Sequence, residues 1–292
     1  MPDTDLFRQL SEADQRVATE LIAREWVALA QVEETALAIR EGRIDGPLLD
    51  ALQQQRLIDK QQFELIESIR HRGMQVGAFT VDRKIGAGAM GNVFLAQHRD
   101  SGQAVALKLI NRRYADDEAF VRRFERETHA LLDVQHHNIA GTAGAGRHEG
   151  LPYMAMEYVP GPSLADLLDK HGPLPESYVL RVASEVAAGL DHIYRRTHLV
   201  HRDIKPDNIL TVPATDHPEA DLFERHDTAK LIDFGLARSY THDERLTMTG
   251  VTMGTPHYMS PEQIRGSKEL DQRSDVYALA ATLYQLLTGR RP

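Results

Sequence analysis

The sequence predicts an α+β protein in two lobes, β-rich first and helical later, with a small all-α module in front. Three observations carry this. Residues 1–72 are rich in Leu, Ala, Glu, Gln and Arg, all good helix formers. Residues 79–110 fall into short runs (FTVDRKIG, NVFLAQH, AVALKLI) that carry Val, Phe and Ile between glycine-containing turns. Beyond them, apolar residues recur mainly at helical spacing.

Composition agrees with a folded protein. The 292 residues are 42% hydrophobic and 26% charged, which excludes disordered and low-complexity classes. The net charge of −9 argues against a nucleic-acid partner. Cysteine is absent, so disulfides and thiolate metal sites are excluded, and a reducing compartment fits. The start, MPDTDLFRQL, is acidic and lacks the apolar run of a signal peptide. The longest nearly apolar stretch, 276–287, is far short of the roughly 20 residues of a membrane span. A cytoplasmic chain with no membrane segment is expected.

Each element has a local reason. Ser11 with Asp14 resembles a capping box. Leu21, Ile22, Trp26, Leu29 and Ala30 recur as one helical face. Gly42 and Gly46-Pro47 punctuate, Leu48, Leu49 and Leu52 follow, and Asp59 caps a helix bearing Phe63, Ile66 and Ile69. Three or four helices are expected, and no internal repeat is evident. After the β-like runs, 115–132 reads as one charged helix and 151–159 as a buried strand. Val179, Val182, Ala183, Val186, Leu190 and Ile193 form a long helical stripe, and 275–288 is helical and apolar nearly all round.

Ile85, Gly86, Ala87, Gly88, Ala89, Met90, Gly91, Asn92 and Val93 spell G-x-G-x-x-G-x-V. A dinucleotide fingerprint would put a helix after the glycines. Here a second strand-like run follows, so the loop reads as a hairpin lid whose glycines let backbone approach phosphate oxygens. Alone, the pattern also fits an ordinary turn. Lys108, in VALK, is a candidate phosphate ligand, and Glu127 on the charged helix is a candidate partner that would aim its ammonium. His201-Arg-Asp-Ile-Lys-Pro-Asp-Asn208 is the strongest signal. Asp203 can orient an attacking hydroxyl and accept its proton, and Lys205 can neutralise a transferring phosphoryl. Asn208, together with Asp233 of Asp233-Phe-Gly235, offers the oxygen ligands that magnesium prefers.

These motifs, in this order, resemble the eukaryotic-type (Hanks-type) serine/threonine protein kinases, bacterial in style, over residues 79–292. The resemblance implies the two-lobe kinase fold, with 79–159 as small lobe and hinge and 160–292 as a partial large lobe after a module at 1–72. It implies ATP and Mg2+ as cofactors and protein Ser/Thr hydroxyls as substrates. Gly86, Gly88 and Gly91 would cover the phosphates, Lys108 would pair with Glu127, Asp203 would be the base, and Asn208 and Asp233 would hold magnesium. Met156 would be the gatekeeper. Backbone groups of Glu157 and Val159 would bind adenine, with Val93, Ala106 and Leu210 around its ring. Leu131, His201 and Phe234 would stack in a column between the lobes. Thr247, Thr249 and Thr252 are phosphosite candidates, to be bound by Arg202 once phosphorylated. An alternative stays open: a truncated kinase-fold nucleotide-binding or scaffold protein without efficient turnover. The N-terminal helices offer a docking or dimer surface.

Several features depart from the family pattern. His137 stands where proline is usual, GTAGAG (141–146) is poor strand material, and Thr142 replaces an apolar residue of the column. Residues 212–229 form an acidic insertion whose His217 and His226 are a weak metal pair. The later helices of the large lobe are missing, so a fragment of a longer chain is expected, in which a membrane anchor beyond Pro292 stays open. Glu262 is then expected to be a buried carboxylate without its arginine, at a cost of about 3–5 kcal/mol.

Overall fold

The computed structural model describes residues 10–88, 90–214, 223, 227–234, 256–267 and 269–292. Compactness divides the chain into two units. One holds the chain through Ala87 together with Asn92–Ala104; the other holds Gly88–Gly91 and Val105–Pro292.

The first unit opens with four helices: α1 (Glu12–Ala23), α2 (Leu29–Arg40), α3 (Leu48–Gln54) and α4 (Lys60–Ile69). Ser11 caps α1 by accepting from the Asp14 N–H, as its sequence position indicates. Asp59 caps α4 by accepting from the Gln62 N–H, while Gln62 Oε1 accepts from the Asp59 N–H. The expected single face over residues 21–30 is divided. Helix α1 ends at Ala23, Glu25 takes a left-handed φ of 57°, and Trp26 lies in the turn before α2.

The helical module is also a tandem repeat, contrary to the sequence reading. Residues 31 apart, such as Leu21 and Leu52, share burial and backbone bonding. The turn after α1 has Glu25 at φ 57° and the turn after α3 has Arg56 at 60°. The Trp26 N–H reaches the Leu21 carbonyl at 3.1 Å, and the Leu57 N–H reaches that of Leu52 at 3.0 Å. Gln31 bonds back to the Ala28 N–H as Gln62 does to that of Asp59. Gly42 and Gly73 close the two halves, both left-handed. Val17 and Leu48, Ala18 and Leu49, Leu21 and Leu52, and Val27 and Ile58 are all buried in one core. Each helix pair buries its apolar face against the other, the usual logic of repeats.

Strands β1 (Gln75–Val76), β2 (Phe79–Gly88) and β3 (Gly91–His98) follow as neighbours in that order. In the second unit β4 (Ala104–Ile110), β5 (Thr142–His148) and β6 (Leu151–Glu157) run antiparallel in the order β4-β6-β5. The weak-looking GTAGAG segment thus contributes a strand, because small residues suit its place beside Tyr153. A Cβ on Gly146 would lie 2.8 Å from the Tyr153 hydroxyl. The expected helix 115–132 is two, α5 (Arg112–Ala115) and α6 (Glu118–Leu131), and Asp117 caps the second. Then come α7 (Leu164–His171), α8 (Glu176–Thr197), strands β7 (Ile209–Val212) and β8 (Thr228–Leu231), α9 (Pro261–Ile264) and α10 (Gln272–Thr288). Helix α8 packs on α10 and β8, and its apolar stripe, with Val179, Val182 and Val186, joins Leu164, Ile209, Leu231 and Leu286 in one core. A second core gathers Phe120, Phe124 and Leu131 of α6 with Met154, Met156, Ile193 and Phe234. Among the described residues no helix is long and apolar enough to cross a membrane.

Candidate active site

The loop after α8 is built around one buried carboxylate. Asp275, in the first turn of α10, accepts from the His201 N–H and the Arg202 N–H, both at 2.8 Å. Burial pushes its pKa up to about 6, against the pull of those two N–H groups and of Arg202. Gln263 Nε2 donates to the Arg202 carbonyl at 3.2 Å. Arg202 itself sits at φ 67°, a strained left-handed position for a side chain of its size, directly before Asp203. No sequence motif marks Asp275. Its signal was a carboxylate at the start of an otherwise apolar helix.

From this anchor the expected residues converge. Lys205 Nζ lies 3.6 Å from Asp203 Oδ2. Asn208 Nδ2 donates to the Asp203 carbonyl at 2.7 Å, which leaves Oδ1 as the end of the amide able to meet a cation. The Ile232 N–H donates to the Asn208 carbonyl at 2.9 Å, tying the loop to the chain just before Asp233. His201 stacks on Phe234 with ring centroids 4.7 Å apart, and Phe234 shares its core with Leu131.

The lysine–glutamate pair differs from expectation. Lys108 Nζ donates to Asp233 Oδ1, not to Glu127. Glu127 is buried on α6, with Arg126 Nη2 3.7 Å away. Burial raises its pKa, and Arg202, Arg123 and Arg126 pull the other way. The physical reason lies in the supply of cations. Glu127 has arginines on its own helix and on the catalytic loop, and Lys108 takes the carboxylate of Asp233, whose backbone is left-handed at φ 54°. Met90, Lys108, Ile110, Phe124, Met154, Asp233 and Phe234 line a small pocket here.

Ile85, Gly86, Ala87, Asn92 and Val93 belong to the first unit, and Gly88, Met90 and Gly91 to the second. Gly91 is required by packing, since a Cβ there would lie 2.1 Å from the Leu109 carbonyl oxygen. Met90 is fixed by its carbonyl, which accepts from the Asn111 N–H at 2.9 Å. Met156 is buried on β6 opposite Ala106. The Glu157 N–H bonds the Gly141 carbonyl, and its carboxylate accepts from Lys230 Nζ at 2.8 Å. Val159 is buried, and Leu210 lies on β7 opposite Lys230. Ala89, Gly235, the histidines His217 and His226, and Thr247, Thr249 and Thr252 lie outside the described residues. Glu262 is not the partnerless buried carboxylate expected. It is partly exposed, and the Ser274 hydroxyl donates to it at 2.6 Å, holding its pKa below the usual range.

Residues 79–292 match the protein kinase domain family, and the chain belongs to it, as a bacterial Hanks-type member. It is 39% identical over 218 residues to the serine/threonine-protein kinase pkn3 of Myxococcus xanthus, covering 73% of this chain and 38% of pkn3. The chain spans less than half the length of the curated relatives it matches. Among solved structures, the Mycobacterium tuberculosis PknI kinase domain is 32% identical, with TM-score 0.60 over 75% of this chain and 78% of that one. A crystal structure of Rad53 in complex with AMP-PNP is 26% identical, with TM-score 0.57 over 80% of this chain and 54% of that one.

Proposed function

We propose that the chain phosphorylates Ser and Thr hydroxyls of protein substrates at the expense of ATP. The observation that carries this is the catalytic loop, where Asp203 is set beside Lys205 and Asn208 on a backbone pinned by Asp275. Asp203 orients the substrate hydroxyl and takes its proton, and Lys205 offsets the charge of the transferring phosphoryl. Asn208 and Asp233 would hold Mg2+ through hard oxygen ligands, and the ion would supply charge neutralisation for the phosphates. Lys108 serves the α- and β-phosphates. For turnover it exchanges Asp233 for Glu127, freeing the aspartate for the metal. The adenine sits beside Met156, Ala106 and Leu210. With the Glu157 N–H already bonded to Gly141, that residue offers its carbonyl, and Val159 offers its backbone groups. That the similar Rad53 structure is a complex with AMP-PNP supports a nucleotide as ligand.

The same reading assigns 1–72 to a helical module and 79–292 to the kinase domain, places the chain in the cytoplasm, and makes Thr247, Thr249 or Thr252 the sites of autophosphorylation. The Lys108–Asp233 pair favours the second reading, a kinase-fold nucleotide binder or scaffold without efficient turnover. Intact-mass measurement after incubation with ATP and Mg2+ separates the two. Phosphate on the parent chain and none on Asp203→Asn supports the enzyme. No phosphate on either supports the binder.

A further inference from the structure

The helical module and the strand residues up to Ala87 and from Asn92, on either side of the glycine-rich loop, belong to one compact unit, and contacts between them lie at the end of α4. Lys84 Nζ lies 3.1 Å from Glu67 Oε1 of α4, both side chains being mostly buried. Lys84 is the last residue before Ile85-Gly86. On the other strand, Phe94, fully buried three residues after Gly91, takes the His71 ring edge-on at 5.2 Å. Backbone bonds join the same two pieces. The Gly73 N–H reaches the Val81 carbonyl at 2.7 Å, and the Val81 N–H reaches that of Met74 at 2.9 Å. So both strands are gripped close to where the loop begins and ends.

Glu67 is also the end of a charge chain. Arg70 lies 3.6 Å from Glu67, 3.6 Å from Asp14 of α1 and 4.0 Å from Asp50 of α3. Lys84 thus meets a carboxylate already fixed by three helices of the module, at little further entropic cost. A pair of this kind, half out of water and pre-positioned, carries more coupling than an exposed one.

We infer that Glu67 and Lys84 are positioning residues, through which the helical module sets the geometry of the glycine-rich loop and hence the affinity for nucleotide. This rests on the kinase reading for the ligand, ATP, though not for the grip itself. Among the described residues Glu67 pairs with Lys84 and Arg70. It acts on the loop through Lys84.

The test uses the full chain, with AMP-PNP and Mg2+ binding by calorimetry and amide hydrogen exchange over residues 79–98. Glu67→Gln and Lys84→Met are each expected to weaken AMP-PNP binding about three- to tenfold and to speed exchange in 85–93. In the double variant the losses should not add, since both remove one interaction. Lys84→Arg should restore most of the affinity. Thermal melts confirm that each variant is folded. Unchanged affinity and exchange in both single variants, or fully additive losses, would overturn the proposal. A parent chain that binds no AMP-PNP would sink the kinase reading instead, and the exchange data would still decide whether the module holds the loop.

Discussion

In residues 201–208 the polar contacts are with backbone groups or with residues a few positions away, whereas Lys108, Glu127 and Asp233 depend on how separate elements meet. Asp275 bonds two consecutive N–H groups, Asn208 bonds the Asp203 carbonyl, and Lys205 bonds Asp203. The second and third of these follow from the local path of the chain, and the first pins the loop's backbone from α10, 73 and 74 residues further on. The other three residues sit on β4, on α6 and after β8, and among them Lys108 has two carboxylates to choose from. The loop is therefore preorganised, and the trio is a choice between charge partners. Preorganised groups gain most in the transition state because no reorganisation is needed at that moment.

The largest expected effect tests the preorganised half. Asp203→Asn should lower phosphate incorporation on the order of 10²–10⁴-fold, since it removes the base. Single-turnover rates with ATP and Mg2+ measure it. A variant within about tenfold of the parent would show that the loop holds Asp203 for shape rather than for chemistry.

Next comes the backbone that supports this loop. A Cβ at Gly161 would fall 1.6 Å from the Thr211 carbonyl oxygen on β7, which directly follows the loop. Backbone cannot yield as a side-chain tip does, so Gly161→Ala should lose about 2–4 kcal/mol in urea unfolding. Gly88→Ala is the contrast. Its Cβ would meet nothing closer than the Gly91 carbonyl oxygen at 4.0 Å, and stability should hold within about 0.5 kcal/mol.

Asp275 gives a test by pH. Its folded pKa of about 6 lies above the roughly 3.9 of an unfolded aspartate. The folded chain therefore holds the proton more tightly, and the contribution of Asp275 to stability falls as pH rises from about 4 to about 6. Asp275→Asn cannot titrate, and it gives up an acceptor for a backbone N–H, so it is the less stable chain. The gap between parent and variant should narrow from pH 4 to pH 7 by on the order of 2–3 kcal/mol. A gap that widens over that range would mean that the two N–H bonds outweigh burial.

How much was legible in the sequence follows the same division. The catalytic loop could be read because its residues are close in the chain and their types fix their chemistry. The strands around the glycine-rich loop and the caps at Ser11 and Asp59 were legible for the same local reason. Strand β5 was not, because its glycines and alanines lower strand propensity, while at Gly146 the space beside Tyr153 leaves little room for a Cβ. The repeat was missed because it lives in backbone geometry and burial. Glu25 and Arg56 share a left-handed turn and no side-chain likeness, and only scattered identities such as Gln31 with Gln62 mark the 31-residue offset. The partner of Lys108 was illegible for a different reason. Sequence order says which carboxylates are available and not which is nearer.

Glu127 combines a small expected change in stability with the sharpest division between the two halves of the site. Its carboxyl is buried, and burial raises its pKa against the pull of Arg202, Arg123 and Arg126. A raised carboxyl pKa means that the charged form disfavours the folded state at neutral pH, increasingly so as pH rises above the unfolded value. Glu127→Gln removes that charge while keeping the shape, so thermal stability at pH 7 should stay within about 1 kcal/mol of the parent or rise. Activity should move the other way, falling roughly 10-fold or more in kcat if turnover requires Lys108 to leave Asp233 for Glu127. Binding of AMP-PNP without turnover should change far less. A variant that keeps full kcat would make the Lys108–Asp233 pair the working arrangement. One that loses several kcal/mol of stability would make Glu127 a structural anchor for α6 through its arginines.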